Sequence, residues 1–299
     1  MVLLAGLASL PVKAEIQVFA CEPEWAALVR VLLPDARIVT ATHYLQDPHY
    51  IQARPSLIAG LRRADLAVCT GASLEAGWLP TLLQRAANPV VQVGRPGLFL
   101  AGEQLELLGA HQHVDRSMGD VHPEGNPHVH LDPVRLPRIA EALMERIGQI
   151  WPELAPQAFA RYVRWRVSWN QQREQWRQAA AGLRGRTLVV QHGSFRYLLE
   201  WLGIKPVLDL EPKPGLPPSA AHLQELLAAP ALADTRAILV ASHQDTRAAR
   251  WLSEKSGKPV LVMPGTVTTE PDTDTLAELI SAIVTELVTV AGEGAGDRS

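Results

Sequence analysis

The feature that most constrains the fold is a repeated alternation of short β-rich runs with helix-length segments. Because a parallel crossover needs a helix-sized connection, this alternation is typical of parallel βα units. The pattern predicts an α/β protein with two lobes, each a small four-stranded, mostly parallel sheet with flanking helices. The runs form two sets of four: 16–20, 36–41, 66–70 and 90–93, then 187–192, 207–211, 237–242 and 259–264.

A long helical segment separates the two sets of runs. It has Pro156 near its start and Gly182 at its end, and these residue types commonly begin and end helices. We expect one helix of roughly 40 Å that joins the lobes. Its aromatic residues share one face at helical spacing and predict a packing surface rather than a cofactor site: Tyr162, Trp165, Trp169 and Trp176.

The composition agrees with two folded lobes and excludes some partners. The chain has 299 residues, of which 47% are hydrophobic and 20% charged, enough apolar material for two cores. A formal net charge of −3 offers no broad basic field, so neither nucleic acid nor an anionic lipid surface is indicated. We expect a monomer without direct membrane insertion.

The two ends of the chain differ from its body. Residues 1–14 are apolar, end in Val-Lys-Ala, and resemble the end of a secretory signal that lacks its positive leader. They predict export to the periplasm, the alternative being a buried or frayed N-terminal segment. The Gly-rich residues 291–299 predict a disordered tail. Between the ends we expect a first lobe over 15–153, the linking helix over 154–183 and a second lobe over 184–290.

Cys21 and Cys69 each end an apolar, strand-like run. They could meet at neighbouring strand ends and form a disulfide in an oxidising compartment, or remain two buried thiols. The pattern leaves both possibilities open.

Three histidines predict a transition-metal site. His49, His128 and His192 each follow a predicted strand or precede a predicted helix. In open α/β sheets these positions converge on the crevice where ligands bind. Prolines next to His49 and His128 restrict the chain, and neutral imidazoles suit Zn²⁺ better than Ca²⁺ or Mg²⁺. A single histidine at a strand end is more often an ordinary polar residue, so position alone does not decide the matter.

At these histidines the chain resembles the metal-specific solute-binding proteins of zinc and manganese ABC transporters, called cluster A-I. The resemblance implies two α/β lobes joined by one helix, a metal ion at their interface held by His49, His128 and His192, and a membrane permease as partner. It implies zinc more than manganese, because manganese members often carry a carboxylate at the third position. The matching segments are 46–55, 64–71 with Glu75, 126–133 and 191–203.

The chain departs from this family at the fourth ligand. Many members supply an aspartate after the last strand, where this sequence has Met263 and Pro264. The fourth ligand is therefore left open among water and four side chains: Glu211, His243, Glu270 and Asp272.

The remaining histidines have no assigned role at this stage. Four of them surround His128 and suggest either a reduced form of the His-rich loop of zinc-binding relatives or an ordinary solvated loop: His111, His113, His122 and His130. His43 and His222 are interpreted as polar residues outside any site.

Two other functions compete with metal transport. A zinc hydrolase also uses three histidines and a water, although this sequence has no His-Glu-x-x-His motif. A siderophore- or haem-binding protein on the same scaffold would use Trp25, Trp78 and Arg54 in a wide cleft. We expect a binding protein rather than an enzyme, with an affinity that falls at low pH because protonated imidazoles cannot bind metal.

Overall fold

The computed structural model describes residues 15–110, 119 and 121–293, without the side chains of 291–293. The predicted signal segment 1–14, His111, His113 and the tail residues 294–299 lie outside the described residues. The helices and strands are β1 (Gln17–Ala20), α1 (Pro23–Leu32), β2 (Arg37–Thr40), α2 (Pro55–Arg63), β3 (Leu66–Cys69), α3 (Leu79–Ala86), β4 (Leu98–Leu100), α4 (Leu136–Ile150), α5 (Ala155–Ala179), β5 (Thr187–Val190), α6 (Arg196–Leu202), β6 (Lys205–Asp209), α7 (Ala220–Ala228), α8 (Ala231–Asp234), β7 (Thr235–Ala241), α9 (Arg247–Ser256), β8 (Val260–Met263) and α10 (Leu276–Glu293).

Each lobe contains one four-stranded parallel sheet. The strand orders are β2-β1-β3-β4 and β6-β5-β7-β8, so the two lobes repeat the same topology. Helices cover both faces, and β3 is accordingly buried along its whole length, as continuous apolar strands of parallel sheets are. The predicted two-lobed α/β fold is confirmed. Since all strands of a sheet run the same way, their carboxyl ends, and the loops that follow them, lie along one edge.

The predicted fourth strand of the first lobe, over 90–93, is wrong. That segment bends instead of pairing: Val90 is 52% and Val93 80% exposed, while Val91 between them is buried. Gly94 follows with a positive φ of 77° and turns the chain. The edge strand is β4, eight residues later, and it pairs with β3. A run of valines favours a strand locally, but pairing depends on which residues reach the sheet edge.

The long helix α5 lies between the lobes, as predicted, and packs against α1, α4 and α10. Its buried Trp169 donates from the indole N–H to the carbonyl oxygen of Pro133 at 2.9 Å. Trp176 donates to the hydroxyl of Ser281 in α10 at 2.8 Å. The helix thus carries one tryptophan bonded to each lobe. It ends at Ala179 rather than at Gly182, because the chain tightens into a 3₁₀ turn over Ala181–Leu183.

The C-terminal helix α10 runs to Glu293, so the segment predicted as a tail from 291 begins inside a helix. Its apolar residues Leu279, Ile283 and Leu287 are buried, and the helix packs against α5, α1 and β7. Within the described ranges, no helix is both long and apolar enough to cross a lipid bilayer.

Cys21 and Cys69 form a disulfide, which settles the alternatives that the sequence left open. In the parallel register of β1 and β3, Ala20 lies opposite Val68, so the two cysteines that follow face each other. The bond ties the carboxyl ends of two neighbouring strands at the edge where the histidine-bearing loops begin.

Candidate metal centre

Three histidines from separate loops meet in the cleft between the lobes. His49 lies on the loop between β2 and α2, His128 immediately precedes a 3₁₀ turn at Val129–Leu131, and His192 follows β5. Their ring centroids are 5.5 to 6.1 Å apart. One ligand nitrogen from each ring lies within 4.8 Å of the other two. The structure thus brings the three predicted residues together, with two contributed by the first lobe and one by the second.

Asp47 orients the ring of His49. Its carboxylate lies 2.7 Å from Nδ1 of His49 and also accepts the His49 backbone N–H at 3.0 Å. Burial alone would raise the pKa of Asp47, but the hydrogen bonds and charge of His49 outweigh it and lower the pKa to about 2. The ionised carboxylate favours a proton on Nδ1, which leaves the Nε2 lone pair of His49 for a ligand.

Glu211, after β6, has the same role at His192. Its Oε2 lies 2.9 Å from Nδ1 of His192 and accepts the backbone N–H of Gly215 at 2.8 Å. A carboxylate behind the imidazole fixes the ring and again leaves Nε2 pointing away from it. Glu211 therefore lies beside the three histidines as a hydrogen-bond acceptor of His192.

His128 is the buried member of the set, with 6% of its surface exposed. Its backbone N–H is fixed by the side-chain oxygen of Asn126 at 2.9 Å. Among the described atoms, its Nε2 is buried without a hydrogen-bond partner. Burial, followed by the neighbouring charges of His192 and His49, lowers its pKa well below the ordinary value. His128 is therefore held as a neutral imidazole with an unused nitrogen, the form that binds a metal ion.

The arrangement fits a small transition-metal ion. Zinc bound by imidazoles at about 2.0–2.1 Å in a tetrahedron requires ligand nitrogens about 3.3 Å apart. The observed nitrogens lie within 4.8 Å of one another, so each pair would need to approach by at most about 1.5 Å. A cavity of about 600 Å³ opens beside the three rings and leads to solvent.

The four side chains considered for the fourth position divide into two groups. Glu211 and His243 line the same cavity as the histidines, and burial lowers the pKa of His243. Glu270 and Asp272 are exposed on the loop between β8 and α10 and do not line that cavity. Met263, which with Pro264 occupies the stretch where the family resemblance expects an aspartate, is 2% exposed and packs in the hydrophobic core.

Two histidines near the site have contacts that the sequence analysis missed. His122 places Nε2 3.2 Å from Nε2 of His49. His130 donates from Nε2 to the carbonyl oxygen of Gly265 in the second lobe at 2.8 Å, while its Nδ1 lies 3.2 Å from the buried carboxylate of Glu24. Glu24 in turn accepts the hydroxyl of Thr266. His130, the second histidine of the Asn-Pro-His-Val-His segment, was the feature of the sequence that could have indicated this contact between the lobes.

The two tryptophans suggested for a siderophore or haem cleft do not line one. Trp25 is fully buried and donates to the hydroxyl of Thr70 at 2.8 Å. Trp78 is 2% exposed and donates to the carbonyl oxygen of Pro48, which supports the loop of His49. Both indoles belong to the interior, so that suggestion is wrong for these two residues.

Two curated relatives are similar to part of the chain. The zinc-binding lipoprotein AdcA of Streptococcus pneumoniae is 27% identical over 187 residues, which cover 60% of this chain and 36% of AdcA. The high-affinity zinc uptake system protein ZnuA of Yersinia pestis is 24% identical over 208 residues, covering 66% of this chain and 63% of ZnuA. The chain thus spans less than two thirds of the length of these relatives.

Solved structures share the fold over nearly the whole chain. A crystal structure of ZnuA superposes with a TM-score of 0.77 at 18% identity and covers 93% of this chain and 99% of that one. A Mn-bound periplasmic metal-binding protein from Candidatus Liberibacter asiaticus has a TM-score of 0.75 at 16% identity, with coverage of 93% and 100%. The family model of the periplasmic zinc-uptake complex component A, ZnuA, matches residues 18–290. The chain belongs to this family of zinc-uptake proteins.

Proposed function

We propose that this protein captures Zn²⁺ at the interface of its two lobes through His49, His128 and His192 and delivers it to an ABC permease. The observation that carries the proposal is the convergence of three imidazoles, whose ligand nitrogens lie within 4.8 Å of one another. Two belong to the first lobe and one to the second, so the ion would bridge the lobes. The proposed compartment is the periplasm, with residues 1–14 as the remnant of the export signal.

The chemistry of the donors favours zinc over manganese. Imidazole nitrogen suits Zn²⁺, whereas Mn²⁺ prefers carboxylate and carbonyl oxygens. The carboxylates of Asp47 and Glu211 are engaged with the Nδ1 atoms of His49 and His192. The named functions of AdcA and ZnuA agree with zinc, while the Mn-bound and Cd-bound neighbours indicate that such scaffolds accept other ions.

Capture needs only a limited movement in this proposal. Asn126 of the first lobe donates to the carbonyl oxygen of Gly193 in the second at 2.8 Å. Tyr197 of the second lobe donates to the carbonyl oxygen of Asn126, also at 2.8 Å. These bonds and the helix α5 resist a wide opening, so release to the permease would follow from a small separation of His192 from the other two ligands.

The test is a zinc titration against a competing chelator with wild-type protein and the variants His192→Ala and His222→Ala. We expect one high-affinity zinc per chain and a loss of affinity of at least about tenfold in His192→Ala, the lower bound taken from losses at supporting residues. His222→Ala, which removes a histidine outside the cleft, should bind zinc as wild type does. Equal affinity of all three proteins would contradict the proposal. Ester or peptide hydrolysis by the zinc-loaded protein, abolished in His192→Ala, would support the hydrolase instead.

A further inference from the structure

We infer that the reduced form of this protein, with Cys21 and Cys69 as thiols, binds a second zinc ion together with Glu75. The three side chains are buried near the ends of β1 and β3, and one ligand atom from each lies within 4.8 Å of the other two. Two thiolates and a carboxylate are ligands that Zn²⁺ accepts. The disulfide has no thiolate to offer, so the site would exist only after reduction. None of the cleft histidines takes part, so the inference does not rest on the proposed function.

The sheet holds the two cysteines in place whether or not their sulfur atoms are bonded. The backbone N–H of Cys21 donates to the carbonyl oxygen of Val68 at 2.9 Å, which continues the pairing of β1 with β3. The Cα atoms of Cys21 and Cys69 are 4.8 Å apart. On reduction the sulfurs need to separate only from about 2.0 Å to about 3.8 Å, the spacing of two thiolates bound to one zinc at about 2.3 Å in a tetrahedron. Rotation of the two side chains provides this separation while the strands stay paired.

Backbone hydrogen bonds fix the carboxyl group of Glu75 beside the sulfurs. Its Oε1 accepts the N–H of Thr70 at 2.6 Å, and its Oε2 accepts that of Gly71 at 2.9 Å. Each bond uses one lone pair of its oxygen, so a second lone pair remains for an ion. Glu75 is therefore held in position before any metal arrives, which lowers the entropy cost of binding.

A second buried carboxyl lies beside Glu75. Glu22 and Glu75 are each 2% exposed, and burial raises the pKa of Glu75 to about 7. Burial, followed by the charge of Glu75, raises the pKa of Glu22 well above its ordinary value. Oε2 of Glu22 accepts the hydroxyl of Thr70 at 3.1 Å, whereas its Oε1 is buried without a hydrogen-bond partner among the described atoms. An ion at the sulfurs would stabilise Glu75 as a carboxylate, and a water on that ion would supply the donor that Oε1 of Glu22 lacks.

The redox step balances with a dithiol as the reductant. The dithiol transfers two electrons and two protons to the sulfurs of Cys21 and Cys69, and its own sulfurs join in a disulfide. Zinc then displaces the two thiol protons, and any proton on Glu75, into solvent. Oxidation of the thiolates removes two ligands and releases the ion. Because both cysteines are 0% exposed, the dithiol reaches them only through local opening, and the zinc-bound state belongs to newly made or reduced chains.

The test is a Co²⁺ titration of the full chain with its disulfide intact and of the same protein kept reduced by a phosphine. We expect one additional Co²⁺ per chain after reduction, with a thiolate-to-cobalt charge-transfer absorption that imidazole ligands do not give. Glu75→Gln should weaken this additional binding by at least about tenfold, the lower end of losses at metal-supporting residues. The control Glu103→Gln, which changes an exposed carboxylate of the same lobe, should match wild type. Thermal melts of the reduced proteins verify that the variants are folded.

A measurement on the unmutated protein makes the inference independent of any variant. X-ray absorption at the zinc edge of reduced, zinc-loaded wild type should show sulfur at about 2.3 Å, and this signal should disappear on oxidation. The same number of bound ions in both redox forms, or no sulfur around zinc, would overturn the inference. Unfolding of reduced wild type would also overturn it, since the site needs β1 and β3 paired. Equal affinities of Glu75→Gln and Glu103→Gln would overturn Glu75 as a ligand. All of these outcomes leave the histidine site of the proposed function intact.

Discussion

Among single residues, two carboxylates orient two of the three histidine rings: Asp47 at His49 and Glu211 at His192. Asp47 lies 2.7 Å from Nδ1 of His49 and holds the ring with Nε2 toward the cleft. We predict that Asp47→Ala weakens zinc binding about 10- to 100-fold, the usual effect of removing such a supporting carboxylate. The control is Asp245→Ala, which removes an exposed carboxylate from the same cavity and should leave the affinity unchanged. Equal losses in both variants would mean that Asp47 acts only through its negative charge.

The protonation of the imidazoles predicts the pH dependence of binding. A protonated imidazole has no lone pair for an ion, so zinc affinity should fall between pH 7.5 and pH 5. His128 should contribute least to this fall, because burial keeps its pKa well below the ordinary value. Chelator competition at the two pH values tests this, and a constant affinity would argue against imidazole ligands.

Among the elements, the long helix α5 contributes to stability through its buried aromatic face. Trp169 is 1% exposed, stacks on Trp165 with ring centroids 5.1 Å apart and bonds to Pro133. We predict that Trp169→Ala lowers the free energy of unfolding by about 3–5 kcal/mol, as expected for a large buried aromatic residue. Phe159→Ala on the same helix removes a side chain that is 56% exposed and should change it by less than about 0.5 kcal/mol. Urea denaturation of the metal-free proteins measures both, and similar losses would contradict this account of the helix.

At the scale of the whole molecule, two buried carboxyls beside the disulfide make stability depend on pH. Burial raises the pKa of Glu75 to about 7 and that of Glu22 well above its ordinary value. Glu75 nevertheless accepts the backbone N–H groups of Thr70 and Gly71, which shape the loop after β3. A group with a raised pKa in the folded state stabilises that state at low pH and loses this effect as the pH rises.

The free energy of unfolding of the metal-free protein should therefore contain a contribution that declines as the pH rises from about 4.5 to about 7. We expect this decline to be roughly 1–3 kcal/mol in wild type and to be reduced in Glu75→Gln, which cannot ionise. The difference between the pH profiles of the two unfolding free energies isolates the contribution of Glu75, because both proteins contain the same histidines. Denaturant unfolding at several pH values measures it, and parallel pH profiles would rule out Glu75 as the source.

Local periodicity in the sequence was sufficient to predict the main elements of the fold. The alternation of apolar runs with helix-length segments predicted two parallel α/β lobes, and the aromatic spacing around Trp169 predicted the helix between them. The three histidines became candidates because each follows a strand end or precedes a helix, and parallel sheets gather such positions at one edge. The resemblance to the metal-binding family then selected them as ligands. These features depend on the spacing of residues along the chain, which can be read from a single sequence.

Contacts between residues that are distant in the chain became known from the three-dimensional structure alone. It moved the edge strand from the valines at 90–93 to Leu98–Leu100, and it joined Cys21 to Cys69 through the register of two strands. It also placed His122 against His49, 73 residues away in the chain. No local pattern encodes these contacts, because they arise from the packing of whole lobes, and the environment of each side chain is set by that packing.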